Sequence, residues 1–88
     1  MHVTKIESRL VEFLRSATGQ TALAADTELL EGGIADSLTI MDLMVFIETE
    51  LAVRLDFADL NADVFRTPAT LAALIAARLQ GLQPREVA

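Results

Sequence analysis

The chain has no cysteine, no tryptophan and no tyrosine, and its one histidine is His2. Without cysteine there is no disulfide framework, no thiolate nucleophile and no thiolate metal or iron–sulfur site. Any thiol chemistry has to come from an added group. A lone imidazole at a mobile terminus cannot build a histidine triad or metal cluster. Glycine and proline are scarce, at 4 and 2 residues, so the turn-rich pattern of a many-stranded β fold is missing. No stretch approaches the roughly 18 apolar residues of a spanning helix, and no apolar run follows a basic segment at the N-terminus. The expectation is a cytoplasmic chain that neither crosses nor binds a membrane.

What is present fits a small helical domain. Eighty-eight residues leave room for one core, and 52% hydrophobic with 23% charged residues is too apolar for disorder. The net charge of −6 is uneven: residues 1–20 carry +1, residues 64–88 carry +2, and the stretch between them carries −9. That field repels nucleic acid and anionic membrane and attracts basic protein surfaces. A solubility device is the plainer reading of the same balance.

Val3, Ile6, Leu10, Phe13, Leu14 and Ala17 recur at helical spacing and predict a first helix over Val3–Ala17, capped at Thr4 or a neighbour and leaving at Gly19. From Thr18 to Asp36 the periodicity fails, and Leu23, Leu29, Leu30 and Ile34 mark a long pinned loop with room for a short helical turn at Gln20–Ala24. Ser37–Val53 is the strongest periodic segment. Leu43, Phe46, Ile47 and Leu51 form its core stripe, with Leu38 and Met44 at the margins. Ile40, Met41 and Val45 are surplus to that stripe and predict a partly exposed apolar strip edged by acid. Asn61–Phe65 has the length of one short helix. Thr67–Pro68 then starts a last helix with Leu71, Leu74, Ile75, Leu79 and Leu82 on its stripe, ending before Gly81. The whole reads as all-α, a three-helix bundle plus a short fourth helix, with a domain over 1–82 and a tail over 83–88.

The chemistry narrows by exclusion. Gly32–Gly33 lacks the lysine and spacing of a phosphate loop. A calcium loop opening at Asp26 needs glycine at its sixth position and a carboxylate at its twelfth, where this chain has Glu31 and Ser37. What remains is Ser37, where loop becomes helix in Gly33–Ile34–Ala35–Asp36–Ser37–Leu38. If Asp36 caps the helix, the Ser37 hydroxyl faces solvent beside unpaired amides and the positive end of the helix dipole, a favourable place for a covalent phosphate. If Ser37 is the cap, Asp36 is a bystander. Both residue types are common at helix starts.

Asp36–Ser37–Leu38 after Gly33, the long preceding loop, the Leu43/Phe46/Ile47/Leu51 stripe and the short helix at Asn61–Phe65 together resemble the acyl and peptidyl carrier protein family, from about Val3 to Leu79. The start at Met1 and the short tail fit a free-standing member. The resemblance implies that Ser37 is joined by a phosphodiester to 4′-phosphopantetheine, taken from coenzyme A by a magnesium-dependent phosphopantetheinyl transferase that recognises Asp36. It implies a carrier, not an enzyme, that holds acyl, aminoacyl or peptidyl intermediates as thioesters on the added arm and presents them to successive enzymes. Partners implied are the transferase, a loading enzyme of the adenylating kind and downstream biosynthetic enzymes, docking on Leu38, Met41, Asp42, Val45 and Glu48 beside Asp36. A monomer without resident metal is expected. Thr39, Ile40 and Thr49 stand where fatty-acid carriers often have acids, which moves the expected cargo toward aminoacyl, peptidyl or polyketide groups. The rival reading is an unmodified helical adaptor that binds a partner helix through the same apolar and acidic face.

Overall fold

The computed structural model describes residues 2–55 and 61–81. Within them the chain forms three helices, α1 (Val3–Thr18), α2 (Ser37–Glu50) and α3 (Pro68–Gly81), and no strand. Leu82 and the tail expected over 83–88 lie outside the described residues.

Helix α1 is amphipathic, and its regular apolar spacing puts Ile6, Leu10 and Leu14 wholly in the core. Thr4 is not its cap. His2 is, in extended backbone, with Nδ1 accepting the N–H of Thr4 at 3.2 Å. Gly19 ends the helix at φ 75°, its N–H donating to the Arg15 carbonyl at 2.9 Å. At the other end of the chain, Thr67 and Thr70 cap α3 reciprocally, each backbone N–H donating to the other's hydroxyl at 3.1 Å. Pro68 fills the first helical position and is fully buried. Leu71, Ala72 and Ile75 then face α1, which packs mainly on α3 and less on α2.

Helix α2 contributes only Leu43 and Ile47 to the fully buried core from within its length. Phe46, expected in the same stripe, is only half-buried: its ring stacks on Phe13 with centroids 4.5 Å apart, and the Arg9 guanidinium lies 6.0 Å from its centre. The helix also stops three residues earlier than its hydrophobic pattern suggests. Leu51 caps it, Ala52 turns into the left-handed region at φ 58°, and the N–H groups of Leu51 and Val53 donate to the Ile47 carbonyl at 3.1 and 3.4 Å. Leu51 and Val53 are thereby turned back into the core.

The short fourth helix is a single hydrogen-bonded turn. The N–H groups of Val64 and Phe65 both donate to the Asn61 carbonyl, and the Asn61 side chain accepts the Val64 N–H at 3.0 Å. One side-chain cap can close a turn at that length but cannot nucleate a helix. Its function is to deliver Phe65 to the core.

The long segment between α1 and α2 is held at many points. Leu23, Leu29 and Ala35 are buried, the Arg15 Nε donates to the Leu23 carbonyl at 2.8 Å, and the Ala69 N–H donates to the Ala25 carbonyl at 2.9 Å. A turn closes at Gln20–Leu23, within the stretch where the sequence allows one. Loops this long in a small domain need such ties, because free backbone polar groups next to a core are costly.

Candidate functional site

The site is built where that loop enters α2. Leu29 is its anchor. Its side chain is fully buried, its N–H donates to the Arg66 carbonyl at 2.8 Å, and its carbonyl accepts both Ile34 N–H at 3.1 Å and Ala35 N–H at 3.0 Å. The Arg66 side chain adds an ion pair with Glu28 at 3.3 Å. Closing so tight a turn needs both glycines. Gly33 sits at φ 69°, and a Cβ on Gly32 would lie 2.9 Å from the Glu28 carbonyl oxygen.

Asp36 follows in extended backbone and is the N-cap of α2, accepting the Thr39 N–H on Oδ1 at 2.9 Å. Donation from the Thr39 backbone, aided by the Thr39 hydroxyl, holds the Asp36 carboxyl below the usual carboxylate range. Of the two capping arrangements the sequence allows, the structure therefore has Asp36 as the cap. Ser37 is the first residue of the helix, exposed, and among the described residues its hydroxyl has no hydrogen-bond partner. The Thr39 amide is already taken by Asp36, so the first turn is less open than the sequence alone implies.

Along α2 from Ser37, Leu38, Met41 and Val45 are 69%, 65% and 60% exposed, an outward apolar strip at helical spacing. Asp42 lies beside it, exposed and, among the described residues, without an ion pair. Glu48 continues the same face but is engaged. Arg54 donates to its Oε2 from both Nε and Nη2, at 3.2 and 3.0 Å. All of the residues singled out in the sequence thus share the first turn or outer face of α2.

Sequence reasoning missed a neighbouring feature. A recess of about 290 Å³ is lined by Leu30, Ile40, Asn61, Ala62 and Phe65, beside the first turn of α2. Ile40 is legible as an apolar residue off the core stripe. Its partners across the recess come from distant segments and carry no local signal. Among the described residues no helix is long and apolar enough to cross a membrane.

The start of α2 thus presents a serine hydroxyl with no hydrogen-bond partner among the described residues, beside an exposed apolar strip and at the end of a loop tied to the core. The family model described as "Phosphopantetheine attachment site" matches residues 8–75. The chain belongs to this family of phosphopantetheine carrier proteins, whose covalently attached group is 4′-phosphopantetheine. It is similar to the D-alanyl carrier protein of Lactobacillus delbrueckii subsp. bulgaricus, with 30% identity over 64 residues, covering 72% of this chain and 80% of the relative. It is also similar to the D-alanyl carrier protein of Enterococcus faecalis, with 31% identity over 65 residues, covering 72% of this chain and 83% of that protein. The local chemistry fits the group. An outward hydroxyl with no competing bond among the described residues is free to become a phosphate ester, and the positive end of α2 favours the ester's charge.

Proposed function

We propose that Ser37 is the residue that carries the 4′-phosphopantetheine group, and that the chain serves as a carrier which presents bound intermediates to other enzymes without catalysing their conversion. The observation that carries this reading is the exposed Ser37 hydroxyl, released from capping because Asp36 takes that duty. When bound, the group supplies a thiol, absent from the polypeptide, on which an acyl group is held as a thioester. In the transfer Ser37 contributes its oxygen to the phosphodiester and gives up its proton, while the pyrophosphate P–O bond of coenzyme A breaks and adenosine 3′,5′-bisphosphate leaves. Asp36 fixes the helix start, and with it the direction of the Ser37 side chain, and offers a carboxylate to the transferase. Leu38, Met41 and Val45 supply the apolar contact on which transferase, loading enzyme and later enzymes dock, and Asp42 supplies charge that steers them. Delivery by a tethered arm raises the effective concentration of cargo at each partner.

For the cargo, an aminoacyl group is favoured. The similar proteins are named for a D-alanyl group, and the sparse acid on α2 at Thr39, Ile40 and Thr49 agrees with a carrier outside fatty acid synthesis. The loading partner is then an enzyme that activates an amino acid as its adenylate.

The test is mass spectrometry of the apo chain after incubation with coenzyme A, magnesium and a broad-specificity phosphopantetheinyl transferase. One phosphopantetheine mass is expected on the wild type and none on Ser37→Ala. Equal addition to both chains, or none to either, rejects the assignment. Presenting the modified chain with adenylating enzymes and single amino acids then reads the cargo class through aminoacyl mass additions that neutral hydroxylamine removes.

A further inference from the structure

The acids of α2 are not equivalent. Glu48 and Glu50 stand in its last turn, where the negative end of the helix dipole disfavours them and where the helix has no basic residue of its own. Each is met by an arginine from elsewhere. Arg9 of α1 reaches Glu50 at 3.5 Å while lying over Phe46, and Arg54, past the end of α2, reaches Glu48 at 3.0 Å. Asp36 and Asp42, in the half next to Ser37, have no such counter-charge among the described residues. Along one face, then, the order is Ser37, the Leu38/Met41/Val45 strip with Asp42 beside it, and the paired Glu48 at the far end, while Glu50 turns toward α1.

We propose that Arg54 is a specificity-determining residue that withdraws Glu48 from the docking charge, so that α2 accepts a protein whose basic groups oppose Asp36 and Asp42 and whose apolar patch covers Leu38, Met41 and Val45. This rests on the carrier reading above. The Arg54 side chain is 80% exposed, so it places a positive charge on the outer surface as well as masking a negative one. A partner with basic residues spread along the whole helix meets that charge and is disfavoured, which is specificity by repulsion. Because both members of the pair are exposed, its effect on folding is small and its effect on encounter is the larger one.

The experiment measures KM for the apo chain in the transferase reaction at low and high salt. Asp42→Asn should raise KM by roughly three- to tenfold at low salt. Glu48→Gln, which leaves the Arg54 charge unpaired on this face, should raise it by about three- to fivefold at low salt, and the rise should fade at high salt. Arg54→Gln alone should lower KM. An unchanged or raised KM in Arg54→Gln, an unchanged KM in Glu48→Gln, or effects of either variant that persist at high salt overturn the proposal. Circular dichroism establishes that these surface variants remain folded. A wild-type chain that takes no phosphopantetheine at all instead defeats the Ser37 assignment, and this inference falls with it.

Discussion

Among the described residues, helices α1 and α3 leave no large apolar side chain exposed, whereas α2 exposes three and fully buries two. Ile6, Leu10 and Leu14 of α1 and Leu71 and Ile75 of α3 are wholly buried. In α2, Leu43 and Ile47 are buried while Leu38, Met41 and Val45 are more than half exposed. The first pair of helices makes the fold, and the third makes a surface. A small domain has little apolar surplus to leave in water, and the outward strip next to Ser37 is the feature on which the proposed docking rests.

Substitutions that probe the two sides of α2 should separate cleanly. Leu43→Ala should cost about 2–5 kcal/mol, read as a fall in Tm by circular dichroism, whereas Met41→Ala, two residues away, should stay within about 0.5 kcal/mol. Similar losses in both would break the contrast between inner and outer faces. Phe46 stands between these limits. Its truncation should cost about 1.5–3 kcal/mol, and a double-mutant cycle with Phe13→Ala should recover a coupling of about 0.5–1.5 kcal/mol from the stacked rings.

A smaller effect tests how α2 ends. Ala52→Gly relieves a left-handed residue that carries a Cβ and should stabilise by up to about 1 kcal/mol, visible in urea melts as a higher midpoint. Destabilisation there would mean that the Ala52 methyl packs usefully. The most local effect is that of pH on the start of the helix. The folded-state pKa of Asp36 is lowered, so the stabilisation is fully present above the unfolded value of about 3.9 and is lost as pH falls through the lowered one. The protection factor of the Thr39 amide, its exchange relative to the intrinsic rate at each pH, should therefore fall in acid, and Asp36→Asn should flatten that dependence. An unchanged acid step in the variant would assign the capping to another group.

Much of this was readable from residue order. The starts of α1 and α3, the long loop, the buried Ile6, Leu10 and Leu14 and the place of Ser37 follow from spacing and capping chemistry, which are local, although Ala17 of the same expected stripe is exposed and Val3 and Phe13 are half-buried. Three features escaped for the same physical reason. The end of α2 carries no glycine, asparagine or proline, so nothing in Leu51–Ala52–Val53 announces the left-handed turn. Phe46 has the right spacing for the core, yet Phe13 and Arg9 meet it at the edge of the bundle. The Arg54–Glu48 pair forms only because the chain reverses at Ala52. Whether Asp36 or Ser37 caps α2 was undecidable from residue type and needed coordinates.

The clasp at Leu29 and Arg66 has a mechanical meaning for whatever hangs from Ser37. The approach to the serine is bolted to the start of α3 by main-chain bonds and a buried leucine, which fixes the pedestal's place against the core. With the proposed arm on Ser37, travel between workstations comes from the arm and from rotation of the whole domain, and loosening the bolt, as Gly32→Ala would, should blur the point of delivery without shortening its radius.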